Sequence, residues 1–256
     1  MPKHKKPPAQ KPKQSAEEKP APAVNLDQWL AQLPQLLNGK VSPEKLSLLA
    51  AQTMVISQAK PTDGLASTAA PSHMPLIIRT QAALREAAEQ ICKATNISLD
   101  IETSDLDPRR GEIVGVGVAI EGQAFYFPTA HRFEDTGDLR PDQLPVTDVV
   151  ERLQLERRQV IAHNAKFEMR WLRHHTGVTL APTWDTMLAA RLIRSDLSAD
   201  LEDLAVRVLD VPKWGFTPAE MQRLQFMSVD QVASYCAKDC RYTLQIFEEQ
   251  KKCLKS

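Results

Sequence analysis

The sequence predicts an α/β fold in which a mixed β-sheet is flanked by α-helices. After residue 75, short apolar runs come first, and amphipathic helices then alternate with further strands. This order of elements is typical of a mixed sheet covered by helices. The chain has 256 residues and is 43% hydrophobic, which suits a substantial core with a smaller appendage.

The N-terminal part of the chain differs in composition from the rest. Residues 1–24 are rich in Lys, Pro, Ala and Gln, so we expect a disordered basic tail. Two amphipathic stretches within residues 25–59 predict a small helical hairpin. Residues 60–75 have the composition of a linker. We therefore expect the main domain to span residues 76–256, with the helical hairpin as its N-terminal extension.

The main domain is expected to begin with strands. Residues 76–80 predict a strand, residues 80–93 a helix, and the run NISLDIE a buried strand. The runs IVGVGVAI and QAFYFPTA are joined by Glu121 and Gly122 and predict a β-hairpin, although this turn is not one of the strongest dipeptides. The sheet is therefore expected to contain an antiparallel part.

Helices dominate the second half of the main domain. The run QVIAH predicts one more short strand, and residues 164–176 predict a helix that ends at Gly177. Further helices are expected at about 185–194, 200–209 and 229–252.

Charge and cysteine content limit the classes of function. The formal net charge is zero, but residues 1–24 hold six lysines and two glutamates (+4), so the remainder carries −4. A domain with this net charge does not have the strongly basic composition of a protein that binds duplex DNA by electrostatic attraction alone. No apolar run approaches the length of a membrane span, and the first residues lack the apolar core of a secretion signal. The four cysteines form no CxxC pair, which indicates reduced thiols in a cytoplasmic protein.

Two carboxylates lie at the end of the buried strand NISLDIE. Asp100 and Glu102 are two residues apart, so in a strand they project to the same face. Leu99 and Ile101 then turn to the opposite face and the core. The strand thus presents a matched pair of acids where buried scaffold ends.

Two predicted helices each carry another pair of polar groups. Residues four apart lie on one face of a helix, which places Asn164 beside Glu168. The same rule places Tyr235 beside Asp239. A cluster of carboxylates from three segments would be costly unless cations neutralised it.

The oxygen-rich ligand set predicts a divalent-cation site. Carboxylate oxygens suit Mg²⁺ or Mn²⁺ better than zinc. Four carboxylates can hold two such ions about 4 Å apart, an arrangement that serves phosphodiester hydrolysis. Tyr235, whose ordinary pKa is near 10, is a poor base at neutral pH and is better suited to orienting a metal-bound water.

Three segments, DIETSDLDP, HNAKFE and YCAKD in this order, resemble the three exonuclease motifs of the DEDD superfamily. The likeness is strongest to the 3′→5′ proofreading domain of family-A DNA polymerases (DNA polymerase I type), and it covers roughly residues 76–253. It implies an RNase H-like fold, two divalent cations and release of nucleoside monophosphates from a 3′ end. Residue 234 is Ser and no His stands just before Asp239, so the tyrosine branch (DEDDy) fits.

The resemblance also implies roles for individual residues. The metal ligands by motif position are Asp100, Glu102, Glu168 and Asp239. Asp100 would be shared by both ions, and Tyr235 would orient the water. The positions that contact the terminal nucleotide in the family are occupied by Thr103, Leu106, Asn164 and Phe167. Leu106 would wedge against the base, and Phe167 would support the sugar side.

Two departures from the family pattern affect the expected activity. The second motif usually ends in Asp, whereas this chain has Glu168, whose extra methylene displaces the carboxylate and could retune or weaken the second metal. We expect an active enzyme, because Glu keeps the charge and the donor type. No polymerase domain follows the motifs in this sequence, so if the sequence is the whole protein we expect no proofreading within one polypeptide.

The expected function is 3′→5′ hydrolysis of single-stranded DNA ends or frayed primer termini, of the proofreading or repair type. Two alternatives stay open from the sequence: trimming of RNA 3′ ends, and an end-binding module that lost activity through the change at Glu168. Residues 1–59 are a candidate docking segment for a replication or repair protein, and no membrane association is expected.

Some acidic and aromatic residues near the motifs have a structural interpretation as well. Asp105 and Asp107 are expected in a loop or turn ahead of Pro108. Asp185 fits an N-cap of the following helix at least as well as a catalytic role. Trp214 is expected in the core, with a single-strand path as the alternative.

Overall fold

The computed structural model describes residues 74–255 of the protein. The predicted tail, the predicted helical hairpin and most of the predicted linker lie outside the described residues. Partner docking through residues 1–59 therefore stays a prediction. Within residues 74–255, no helix combines the length and the apolar character that crossing a bilayer requires.

A mixed sheet of six strands lies at the centre of the described part of the chain, which confirms the predicted fold class. Its strands are β1 Leu76–Ile77, β2 Ile97–Thr103, β3 Ile113–Ile120, β4 Gln123–Pro128, β5 Val160–Ala162 and β6 Trp184–Asp185. Their order across the sheet is β1-β4-β3-β2-β5-β6. Strands β2, β3 and β4 pair antiparallel, whereas the pairs β1–β4, β2–β5 and β5–β6 are parallel.

Helices cover both faces of this sheet. They are α1 Gln81–Lys93, α2 Val146–Leu153, α3 Lys166–Thr176, α4 Thr186–Ile193, α5 Leu201–Leu209, α6 Pro218–Met221 and α7 Val229–Lys255. The predicted helices at 185–194, 200–209 and 229–252 agree with α4, α5 and α7 to within three residues at each end. The short strand predicted from the run QVIAH is present as β5.

The largest core cluster lies between one face of the sheet and helices α1, α2 and α3. Leu99 and Ile101 of β2 are buried in it, as the alternation in NISLDIE predicts. Leu84 and Ile91 of α1 are among the side chains that meet them, with no exposed surface. Because Leu99 and Ile101 point into this cluster, Asp100 between them projects to the opposite face.

Helix α7 covers that opposite face. Its buried side chains form a second cluster with β3 and β4, and Cys236 and Cys240 belong to it. Gly117 of β3 permits the close approach, since a Cβ there would overlap Cys236 Sγ and lie 2.9 Å from Cys240 Sγ. The hydroxyl of Ser98 adds a hydrogen bond of 2.7 Å to the carbonyl oxygen of Cys240. The end of α7 that carries the third motif is thereby held against β2 and β3.

The predicted hairpin of β3 and β4 is present with the expected turn. Ile120 pairs with Gln123, so Glu121 and Gly122 form a two-residue connection. Gly122 has φ of 79°, a left-handed conformation that favours glycine. The hairpin prediction is confirmed.

Several elements differ from the sequence expectation. The first strand ends at Ile77 rather than at residue 80, because Thr80 caps α1 by accepting a hydrogen bond from the Ala83 amide at 3.2 Å. Helices α2 and α6 and strand β6 were not predicted. Helix α6 and strand β6 contain four and two residues, which is too short for a clear periodic pattern, whereas α2 has eight residues and follows Pro145 without a side-chain cap.

We expect Gly117→Ala to destabilise the domain by about 1–3 kcal/mol, because the added methyl overpacks the contact between α7 and β3. Urea unfolding measures the effect. Combining it with Cys236→Ala should give a loss smaller than the sum of the two single losses, since the main obstacle has been removed. Additive losses in this double-mutant cycle would contradict the contact.

Candidate active site

Strand β2 presents the first two acids on the face that α7 covers. Asp100 lies opposite Gly117 of β3, and Glu102 lies opposite Gly115. The pairing shifts register between Glu102 and Thr103, so the regular ladder ends directly after the second acid. The expectation that Asp100 and Glu102 project to one face agrees with this arrangement.

Helix α3 carries Glu168 near its start, and this carboxylate is only 2% exposed. The helix begins at Lys166 rather than at residue 164, so the predicted helical pairing of Asn164 with Glu168 is wrong. Asn164 instead has φ of 63° and lies in the turn between β5 and α3. A carboxylate elsewhere in the chain fixes this turn, which a helical spacing rule does not reveal.

That carboxylate belongs to Asp185, at the end of β6. It accepts hydrogen bonds from the backbone amides of Asn164 at 3.2 Å and Ala165 at 2.9 Å. It also caps α4 by accepting from Met187 at 2.9 Å and Leu188 at 3.1 Å. The N-cap interpretation is therefore the structural role of Asp185, and the same side chain also sets the start of α3.

Helix α7 carries Tyr235 and Asp239 one turn apart, as predicted. The Tyr235 hydroxyl donates a hydrogen bond to the Asp239 carboxylate. Asp239 is 8% exposed. Burial, followed by the charges of Asp239 and Glu102, raises the pKa of Tyr235 above its usual value. A raised pKa favours the protonated phenol, which suits Tyr235 to donating a hydrogen bond rather than to accepting a proton.

The structure brings the four predicted carboxylates together. Burial and the charge of Asp100 raise the pKa of Glu168 and of Asp239 well above their usual values. Burial, followed by the charges of Asp100, Asp239 and Glu168, does the same to Glu102. For Asp100, burial raises the pKa to about 7. Strand β2, helix α3 and helix α7 thus place their acids within mutual electrostatic range.

This cluster has the properties of a divalent-cation site. Glu102 Oε1 and Glu168 Oε2 are buried and accept no hydrogen bond. Among residues 74–255, no ion pair joins Lys or Arg to any of the four acids. Ligand atoms of Asp100, Glu102 and Cys236 lie within 4.8 Å of one another. Buried carboxylates without a positive partner are the donor set that hard divalent cations take.

Two neutral donors at the cluster were not predicted. The Cys236 thiol donates to Asp100 Oδ2 at 3.3 Å, and its pKa is raised well above the usual value by burial, so it remains a thiol. The indole Nε1 of Trp214 donates to Asp239 Oδ1 at 2.6 Å. The sequence predicts reduced thiols for the cysteines without linking Cys236 to Asp100, and nothing in the sequence connected Trp214 with Asp239.

The segment between α5 and α6 holds Trp214 against the site. The Trp214 amide donates to Glu202 Oε1 at 3.1 Å, and its ring lies 4.5 Å from that of Tyr242. Two residues further on, the ring of Phe216 lies 4.6 Å from that of Tyr235. The indole is therefore fixed from both the backbone and the ring side. It contacts the acid cluster, in addition to the core role expected for it.

The residues implied in contacts with a terminal nucleotide lie at or after the end of β2 and around the start of α3, the elements that carry three of the acids. Thr103 Oγ1 donates to the carbonyl oxygen of Asp105 at 2.8 Å, which ties the side chain into the loop after β2. Leu106 on that loop is 82% exposed. Phe167 packs on Trp171, with ring centroids 5.9 Å apart. Their contact with a nucleotide stays a prediction.

Solved structures with this fold are nucleases of the RNase H-like type, which confirms the implied fold. RNase D of Trypanosoma brucei superposes with a TM-score of 0.56 at 17% identity, over 70% of this chain and 65% of that one. RNase D of Escherichia coli, an exoribonuclease involved in structured RNA processing, gives 0.54 at 15% identity, over 69% and 44%. At these identities the likeness concerns the fold alone.

The chain belongs to the 3′–5′ exonuclease domain family, whose model matches residues 75–255. Members of this family are hydrolases that use divalent metal ions and act on the 3′ ends of nucleic acids. DNA polymerase I of Chloroflexus aurantiacus is 28% identical over 253 residues, which are 93% of this chain and 25% of the polymerase. DNA polymerase I of Borreliella burgdorferi is 26% identical over 181 residues, 70% and 20% of the two chains. The chain spans a quarter or less of the length of these relatives.

We expect Asp185→Ala to destabilise the domain by about 2 kcal/mol or more, because two helix starts lose their capping carboxylate. Asp200→Ala is the matched control: Asp200 caps α5 alone, and its loss should cost about 1 kcal/mol. Urea unfolding compares the two. Equal losses would show that Asp185 stabilises only α4.

We expect divalent cations to stabilise the domain far more at pH 8 than at pH 5.5. The raised pKa values mean that the metal-free folded state keeps these carboxyls protonated in acid and loses stability as pH rises through about 7. Cations bind the deprotonated form. Millimolar Mg²⁺ or Mn²⁺ should therefore raise Tm by about 5 °C at pH 8 and by little at pH 5.5. A larger increment at pH 5.5, measured by calorimetry against EDTA, would contradict this.

Proposed function

We propose that the domain is a metal-dependent 3′→5′ exonuclease that hydrolyses the terminal phosphodiester at DNA 3′ ends. Its substrates would be single-stranded or frayed ends, and its products nucleoside monophosphates. The observation that carries the proposal is the convergence of three buried carboxylates and the partly buried Asp100 from β2, α3 and α7, without a positive partner among the described residues. The choice of DNA, in replication or repair, rests on the likeness to DNA polymerase I.

The four acids, Asp100, Glu102, Glu168 and Asp239, would hold two divalent cations, Mg²⁺ or Mn²⁺. When bound, the cations would neutralise the acids, activate water and stabilise negative charge on the phosphate. The protein supplies the ligands in fixed positions: Cys236 hydrogen-bonds Asp100, and Trp214 hydrogen-bonds Asp239. Each of these neutral donors restrains a carboxylate while leaving its charge available.

Tyr235 would orient the attacking water. Burial raises the pKa of Tyr235 above its usual value, so the phenol would act as a hydrogen-bond donor at neutral pH. The Tyr235 hydroxyl and the Trp214 indole both interact with the Asp239 carboxylate, so Asp239 is restrained by two neutral donors. Near it, Leu106 would stack on the terminal base, while Thr103, Asn164 and Phe167 would contact the sugar and phosphate.

Trimming of RNA 3′ ends is the second candidate function. The structures that share the fold include RNase D from Trypanosoma brucei and RNase D from Escherichia coli. The Escherichia coli enzyme is an exoribonuclease. The two functions differ in whether the site accepts a 2′-hydroxyl next to the terminal phosphate. A direct comparison of matched DNA and RNA oligomers decides between them.

We expect the full chain to shorten a 5′-labelled single-stranded DNA oligomer stepwise, in the presence of Mg²⁺ or Mn²⁺ and not in EDTA. A 3′-labelled oligomer should release its label as a mononucleotide in the first step. Running both labels on DNA and RNA of one sequence gives polarity and substrate preference together. If the chain binds the oligomer but does not shorten it in either metal, the exonuclease proposal is wrong and an end-binding module is favoured.

Asp100→Ala serves as the internal control and should lower the rate at least about 1,000-fold. Its fold should persist, because the variant removes one of four mutually repelling charges. Glu168→Asp restores the usual residue of the motif and should keep or raise the activity. An inactive but folded Glu168→Asp variant would contradict the assignment of Glu168 as a ligand.

A further inference from the structure

An arginine-rich groove lies beside the candidate active site. It has a volume of about 820 Å³ and runs between the loop that follows β2 and the outer surface of α3. Four arginines line it: Arg109, Arg110, Arg170 and Arg173. The exposed Leu106 lines it as well, six residues after Asp100. The groove therefore borders two of the segments that carry the acids, the loop directly after β2 and helix α3.

Two of the arginines are held in place by the loop itself. Arg109 donates from Nε and Nη2 to Asp107, and Arg110 donates from Nε and Nη2 to Asp105. Each guanidinium has five N–H donors in a rigid plane, so donors remain available after the carboxylate is bound. The bidentate pairs thus orient both arginines without using up their capacity.

The other two arginines carry charge that the surrounding structure does not balance. Arg170 and Arg173 are exposed and three residues apart, so they are neighbours on α3. In the part of the chain that the structure describes, neither forms an ion pair. Four arginines against two aspartates leave the groove with a net charge of +2. This is notable in a body that carries −4 outside its first 24 residues.

The two walls of the groove are firmly joined. A Cβ on Gly111, at the end of the loop, would lie 2.9 Å from the Trp171 ring of α3. The His175 ring stacks on Trp171, with ring centroids 5.2 Å apart. The same helix carries Glu168 on its buried side. The spacing between the arginines and the acid cluster is therefore fixed by packing.

We propose that this groove binds the sugar–phosphate backbone of the strand behind the terminal nucleotide. The proposal rests on the proposed function, and it extends that function from the reacting phosphodiester to the nucleotides upstream of it. Guanidinium forks match phosphate oxygens in shape and charge. The exposed aliphatic surface of Leu106 suits a base face at the entrance. Because phosphates carry no sequence information, binding here is independent of base sequence.

The groove also accounts for how an acidic cluster admits a polyanion. Once ionised, the clustered carboxylates repel a nucleic acid until cations are bound, and residues 25–256 carry −4 and so have no overall positive charge to offset this. Arginines a short distance along the strand supply a local attraction that does not depend on the metal. Affinity should therefore grow with strand length until the groove is filled.

The test compares binding of single-stranded oligomers in the cleavage-deficient Asp100→Ala background of the full chain. The probe is a 5′-fluorescein thymidine 12-mer, with a trimer as the short control, titrated at several salt concentrations by anisotropy. Adding R170A/R173A should weaken binding of the 12-mer roughly 10-fold. It should also reduce the slope of log K against log salt by about 1.4, at 0.7 for each lost phosphate contact. The advantage of the 12-mer over the trimer should shrink.

The matched control is R85A/R152A, which removes the same charge from exposed positions on α1 and α2 outside the groove. Its affinity and salt slope should equal those of the Asp100→Ala parent. Equal slopes for R170A/R173A and R85A/R152A would overturn the groove assignment. Such a result would leave the proposed function untouched wherever the unmodified chain still shortens the oligomer, so the two failures are distinguishable.

Discussion

The arrangement of this domain depends on holding three buried carboxylates and the partly buried Asp100 near one another without a positively charged partner among the described residues. Burial and mutual repulsion both oppose their ionisation, as the raised pKa values of Asp100 and Glu102 show. The protein meets this constraint with neutral donors: a thiol on Asp100, and a phenol and an indole on Asp239. A lysine or arginine in their place would satisfy the charge within the protein and remove the affinity for divalent cations.

Close packing supplies the rigidity that this electrostatic arrangement requires. Helix α7 contributes core side chains to the second cluster and site residues from the same turns, so the site cannot shift without disturbing the core. Gly117 allows the helix to approach until Cys236 reaches Asp100. The hydrogen bond from Cys236 to Asp100 therefore depends on the close contact between α7 and β3 at Gly117. The family model matches residues 75–255, which include both the packed core and the site residues.

Local patterns predicted most of the fold and the acids, whereas long-range contacts were not predictable. Alternation in NISLDIE placed Asp100 and Glu102 correctly, because strand periodicity depends only on neighbouring residues. The helical spacing rule failed for Asn164, since a carboxylate 21 residues away holds it in a turn. Trp214 and Asp239 meet across 25 residues through an irregular segment, which no periodic signal describes. Short elements such as β6 are defined by their partners rather than by their own sequence.

The shared cap at Asp185 has an evolutionary consequence. One carboxylate anchors the starts of both α3 and α4, so the orientation of Glu168 does not depend on the connection between Gly177 and Thr183. That connection still contributes Leu180 to the main core, so changes of length are expected to be accommodated only at its exposed positions. Loss of the single aspartate would instead release two helices at once, so substitution of Asp185 is expected to be strongly constrained.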